Sequence, residues 1–155
     1  MTTSLPLRRP CAILLGILSL GLVAATTPAD TVRARIASYR ELGAAYKGVN
    51  DSLRGSELQT VMLGQYARQI RNASRAQYSL FPAGSGASAG VPNKAKPEIW
   101  SNPNGFKAAQ DAFSRQADAL VIAVQLGDAA RIRATARTLG GTCKGCHDSF
   151  RQPQD

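Results

Sequence analysis

Six residues near the end of the chain, Ile132, Ala136, Leu139, Cys143, Cys146 and Phe150, step by four, three, four, three and four. That spacing holds side chains on one face of an α-helix, whereas alternate positions of a strand point to opposite faces. The stripe predicts a helix with both cysteines turned inward, and Asp128 just ahead of it is a suitable N-cap.

The same periodicity recurs upstream. A first helix is expected from about Asp30 to Leu53, with Val32, Ile36, Tyr39, Gly43, Tyr46 and Leu53 inward and Gly55 closing it. Ser56 with Gln59 fits a capping box, so a second helix is expected from Glu57 to about Tyr78, with Leu58, Met62, Tyr66, Ile70 and Ala73 inward. A third runs from about Gly105 to Leu126 on Phe106, Phe113, Ala117, Leu120 and Val124, and Gly127 ends it. No sustained alternation of period two marks a strand. Residues 79–104 are too rich in proline, glycine and serine for a regular element, apart from a single turn at Pro97 to Trp100. A connection of that length is usually functional or disordered, and Phe81 and Trp100 predict packing at its two ends. The fold class is therefore all-α: an antiparallel four-helix bundle, one domain over residues 30–155, in which cofactor sites form between facing helices.

The first thirty residues have the order of a secretory signal, with Arg8 and Arg9 before an apolar run from Ala12 to Ala25 and small residues after it. The run is short for a bilayer span, so a signal of residues 1–25 or 1–29 is expected, with no membrane anchor after its removal. Cys11 leaves with it, and Cys143 and Cys146 are the only cysteines of the exported chain. That chain carries 17 basic and 10 acidic residues, a net charge of +7. The basic residues are scattered without interleaved aromatics, which points to steering of acidic partners and away from nucleic acid.

The inward cysteines belong to Cys143-Lys144-Gly145-Cys146-His147. A structural zinc site needs four ligands, and two thiols and one histidine leave it incomplete. A catalytic dithiol normally sits at a helix N-terminus, where the dipole lowers its pKa, and here it lies near the C-terminal end. A disulfide between residues three apart on a helix staples almost nothing. Covalent haem attachment uses every residue: both thiols can add to the haem vinyls, and the adjacent imidazole can turn to the iron.

The position of this motif, the HDSFR that overlaps its end, AKPEIW at 95–100 and RIASYRELG at 35–43 together resemble a class II cytochrome c, most closely the cytochrome c′ family, over about residues 30–152. The resemblance implies one covalent haem c between the helices, Cys143 and Cys146 as thioether anchors and His147 as proximal ligand. Low-spin relatives carry a methionine where this chain has Tyr39, so a pentacoordinate, high-spin iron with Tyr39 crowding its open face is implied. Tyr39 also reads as a core aromatic, or as a tyrosinate ligand if its pKa were strongly lowered. Met62, the sole methionine after signal removal, lies off the ligand position and reads as core filler. Arg35, and less strongly Lys94, match propionate partners; for Arg35 a solvated helix face is the alternative. Arg151, one turn beyond His147, either raises the reduction potential or complements the helix dipole. Tyr78, Phe81 and Trp100 border the haem or pack the core.

The implied function is a periplasmic, non-enzymatic haem protein of a bacterium that binds nitric oxide or carbon monoxide, passes single electrons to redox proteins, and dimerises through its first two helices. A six-coordinate, low-spin electron carrier is the alternative, and a haem-free bundle binding a metal or a partner is a third reading.

Overall fold

The computed structural model describes residues 26–55 and 57–153; the expected signal, residues 1–25, lies outside them. Four long helices, α1 (Pro28–Arg54), α2 (Thr60–Ala76), α4 (Pro103–Leu126) and α5 (Ala129–Phe150), form an antiparallel bundle, and a single turn, α3 (Glu98–Ser101), precedes α4. The order of packing follows the chain, with α1 on α2, α2 on α4 and α4 on α5.

Helices α1, α4 and α5 each start where a side chain satisfies free N–H groups of the first turn. Thr27 caps α1 through a reciprocal capping box with Asp30, Asn102 accepts from Gly105 N ahead of α4, and Asp128 accepts from Ala130 N and Arg131 N at α5. Gly127 ends α4 at φ 71°, a left-handed conformation that glycine adopts without strain. The box expected from Ser56 involves a residue outside the described ones. Helix α2 begins later than expected, at Thr60, and its N-cap Gln59 makes no side-chain capping bond.

The core joins Val49, Leu63, Ile70, Phe113, Leu120, Ile132 and Leu139, and the stripes read for α4 and α5 line it. Those read for α1 and α2 hold in part: Val32 and Ile70 are buried and Tyr46, Leu53, Leu58 and Tyr66 pack against the core, but Gly43 and Met62 do not turn inward. In α2 the buried column is Leu63, Ala67, Ile70 and Ser74, while Met62 is 37% exposed and so is not core filler. In α1 it is Val32, Arg35, Ala45 and Val49, with Gly43 exposed. Small residues explain both corrections. Ala67 and Ser74 face inward because they let α2 approach its neighbours, and the Tyr66 ring occupies the space where a Cβ on Gly48 would stand, 2.5 Å away. A buried polar ladder sets the register of α2 on α4: Gln77 Nε2 donates to Gln110 O at 3.2 Å and Gln110 Nε2 to Gln77 O at 3.3 Å.

The long connection has a definite course. Short 3-10 turns at Gln77–Ser79 and Ala87–Ala89 break it, the Trp100 indole donates to Phe81 O and Pro82 O, and its last part pairs with the end of α5.

Candidate functional site

The CKGCH pentapeptide occupies the last two turns of α5, stiffened by an i,i+4 pair between Lys144 and Asp148 at 2.6 Å. Both thiols are free and half-buried. Cys143 packs against the main core, and Cys146 against a second cluster of Ile99, Phe106 and Phe150 with Phe81 and Trp100 around it. The motif therefore straddles the seam between two apolar clusters.

Burial raises the Cys143 thiol pKa, and burial followed by the neighbouring Cys143 pushes Cys146 up to about 11. A redox dithiol needs the opposite shift, because the thiolate is the nucleophile. Among the described residues no group of three or more His, Cys, Asp or Glu side chains could hold a metal ion, so the zinc reading gains no fourth ligand. His147 lies on the exposed side of α5; desolvation first and then the Arg151 charge lower its pKa, against Asp148.

Tyr39 faces the motif from α1. Desolvation is the largest influence on its phenol and raises the pKa well above the usual range; Cys146 and Cys143 add to this, and Arg35 opposes it. The direction is contrary to what a tyrosinate ligand requires. One turn earlier, Arg35 is only 4% exposed. Its Nη1 donates to Leu80 O and Ser85 Oγ, each at 3.2 Å, and its Nη2 to Ser85 O at 2.8 Å and Asn93 Oδ1 at 3.2 Å. The guanidinium also lies 4.6 Å from the centre of the Phe81 ring. From Tyr39 a chain of rings runs through Phe81, Phe106 and Phe150, with centroid separations of 6.2, 4.8 and 5.1 Å. Arg35 is thus a buried strut of the long connection rather than part of a solvated helix face, and its hydrogen-bond partners here are neutral.

Lys94 and Arg151 meet at the other edge. Ala95 forms an isolated antiparallel bridge with Arg151, Gln152 N donates to Lys94 O at 2.8 Å and Lys96 N to Phe150 O at 3.1 Å. Tyr78 is 42% exposed and bonds Asp111, whereas Phe81 and Trp100 share the cluster against which Cys146 packs. Met62 sits in the first turn of α2, at the end of the bundle where α1 finishes.

Some residues that shape the site carry no periodic signal. Ser85 and Asn93 hold Arg35, and Asn93 also accepts from Ala95 N at 3.1 Å and so fixes the bend before AKPEIW. Tyr46 Oη donates to Ala136 O at 3.0 Å, and a Cβ on Gly140 would collide with that hydroxyl. This pin joins α1 to α5 two turns before Cys143. The Pro-Asn pair at 92–93 marks a turn, but nothing local singles out Ser85 or predicts the match of Gly140 to Tyr46.

The donor set fits a covalently held haem. Two protonated thiols share a helix face between apolar clusters, an imidazole follows the second, and a buried cation with only neutral partners suits an acidic substituent.

A family profile described as Cytochrome C' matches residues 30–151. The cytochrome c′ of Rhodopseudomonas palustris is 30% identical over 142 residues, which cover 90% of this chain and 94% of that one. The cytochrome c′ of Rubrivivax gelatinosus is 46% identical over a shorter stretch of 69 residues, 44% of this chain and 54% of that protein. Its crystal structure superimposes with a TM-score of 0.76 at 30% identity, covering 82% of this chain and 98% of that chain. A nitric oxide complex of a cytochrome c prime variant from Alcaligenes xylosoxidans gives a TM-score of 0.75 at 25% identity, over 83% and 98% of the two chains.

Proposed function

Because the chain belongs to the cytochrome c′ family, whose members carry a covalently attached c-type haem, we propose that it is an exported haem protein which binds nitric oxide or carbon monoxide at a five-coordinate iron and also exchanges single electrons. The observation that carries this reading is Tyr39, a half-buried phenol near both thiols, at the place where low-spin relatives have a sulfur ligand.

When bound, the haem supplies the iron at which a diatomic gas coordinates and through which an electron passes. Cys143 and Cys146 would hold it by thioether bonds from their thiols, and His147 would ligate its iron. Tyr39, its phenol held neutral, would crowd the open face of the iron, sort entering molecules by size and exclude water. Arg35, and at the far edge Lys94, would neutralise propionates, and Arg151 would favour the reduced iron by its positive charge. The nitric oxide complex of the Alcaligenes relative supports the gas-binding half. The exposed Met62 on α2 leaves the six-coordinate reading without a sulfur ligand among the described residues.

A periplasmic location, with residues 1–25 or 1–29 as the signal, follows from the sequence pattern. A homodimer is also part of the proposal, and the groove of about 460 Å³ between α1 and α2, lined by Ser38, Glu41, Arg68 and Asn72, is where a second copy would seat.

The ferrous spectrum tests the reading. A high-spin spectrum that shifts with carbon monoxide is expected, and sharp low-spin bands indifferent to the gas would refute the open site. Cys143→Ser with Cys146→Ser should release haem into acid–acetone, and haem retained by the polypeptide would refute the thioether assignment.

A further inference from the structure

Most of the aspartates of this bundle are already engaged, whereas several exposed arginines are not. Asp30, Asp51, Asp111, Asp118 and Asp148 are engaged in ion pairs, and Asp128 caps α5. On the side where α2 meets α4, Arg75 pairs with Asp118 at 2.7 Å and Lys107 with Asp111 at 2.8 Å. On the side where α1 meets α5, neither Arg40 nor Arg137 forms an ion pair among the described residues, a condition they share with Arg68 and Arg71 on α2 and Arg115 on α4; what sets them apart is their place beside the helix that carries the thiols.

Helix geometry gathers these cations. Arg133, Arg137 and Lys144 follow one another at intervals of four and seven, which places them in one exposed column. The column borders α1, because Arg133 Nη2 donates across the seam to Leu53 O at 3.4 Å. Arg40 stands on the exposed flank of α1, next to the Tyr39 that faces the thiols. Gly43 on α1 and Gly141 on α5 are exposed, and a Cβ on either would meet nothing within 4 Å. The exposed imidazole of His147 follows on α5, one turn after Cys143. Lys144 holds Asp148 in an exposed pair, a weak interaction that does not keep the ammonium from a second carboxylate.

We propose that this α1–α5 face, centred on Arg40, Arg137 and Lys144, docks an acidic one-electron carrier protein. Opposite charge raises the encounter rate and selects the face that meets the partner, and here that face includes the helix bearing Cys143, Cys146 and His147. One electron leaves the carrier, which is oxidised by one equivalent, and reduces ferric iron to ferrous; no bond forms and no proton moves. The inference rests on the single-electron half of the function proposed above.

The test uses the haem-loaded protein and a reduced bacterial flavodoxin as the acidic carrier, mixed in a stopped-flow instrument at low and high salt. Arg137→Glu is compared with Arg115→Glu, an equal change of net charge on the exposed flank of α4. At low salt Arg137→Glu should slow reduction about tenfold and Arg115→Glu less than twofold, with the difference vanishing as salt screens it. Carbodiimide coupling to flavodoxin, mapped by mass spectrometry, should join Lys144 and not Lys107. Equal slowing by the two variants, or coupling through Lys107, overturns the docking face and leaves only net charge at work. Binding to anionic phospholipid vesicles that Arg137→Glu abolishes, with unchanged flavodoxin kinetics, overturns it in favour of a membrane surface. Failure of dithionite and ferricyanide to cycle the iron instead sinks the single-electron reading beneath it.

Discussion

Tyr39 concentrates the choices open to this fold. Its neutral phenol is stabilised by burial, with the thiols adding to the upward shift and Arg35 opposing it. A raised phenol pKa contributes stability that is complete below the ordinary tyrosine range and is lost as pH rises through the folded value. Ultraviolet difference titration of wild type against Tyr39→Phe should therefore show no step assigned to this residue below pH of about 10, the ordinary tyrosine value. A step near neutrality would indicate a tyrosinate. Tyr39→Ala should speed carbon monoxide association at least about tenfold, corresponding to about 1.4 kcal/mol of barrier removed, and flash photolysis measures it. At this scale the sequence was legible where chemistry is rare, since two cysteines and one histidine in a single pentapeptide have few uses. It was less legible for Arg35, which reads as a propionate partner or a solvated face, because burial by an irregular connection leaves no periodic trace.

The helices are set by caps at their starts and by close approaches along their lengths. Thr27→Ala removes one half of the α1 capping box and should cost about 1 kcal/mol in urea unfolding. Signal cleavage after Ala25 leaves that cap in the mature chain, whereas cleavage after Ala29 removes both Thr27 and Pro28. N-terminal mass analysis should find Thr26 first, and Asp30 first would mean that α1 works without its box. Gly140→Ala drives a methyl group into the Tyr46 hydroxyl and should destabilise by about 1–3 kcal/mol. Tyr46→Phe should recover most of that loss, a coupling that a double-mutant cycle reads directly. The faces of α4 and α5 were readable because large apolar side chains mark them. Those of α1 and α2 were only partly readable: Val32 and Ile70 were found, but Ala45, Ala67 and Ser74 share the inward packing there, and small residues carry little hydrophobic signal.

Over the whole molecule, the four-helix count and its antiparallel order were legible from amphipathic spacing and from the two short turns. The course of residues 77–102 was not, because it depends on contacts distant in sequence. Arg35 reaches residues 80, 85 and 93, and the end of α5 is pinned to residues 94–96. Arg35→Met removes those donors while keeping bulk and should destabilise by about 2–4 kcal/mol, since buried oxygens lose their partners. Limited proteolysis of this variant should cut first within residues 80–93, and cleavage confined to the termini would show that the connection holds its course without the guanidinium.

The pairing of residues 94–96 with 150–152 also bears on the order of events during folding. In the exported chain proposed above, which enters its compartment N-terminus first, the hairpin of α1 and α2 can assemble early, but this clasp cannot fasten until the end of α5 has arrived. The wall around the two sulfurs is therefore the last to close, which leaves them within reach of a maturation enzyme while the rest of the scaffold is taking shape.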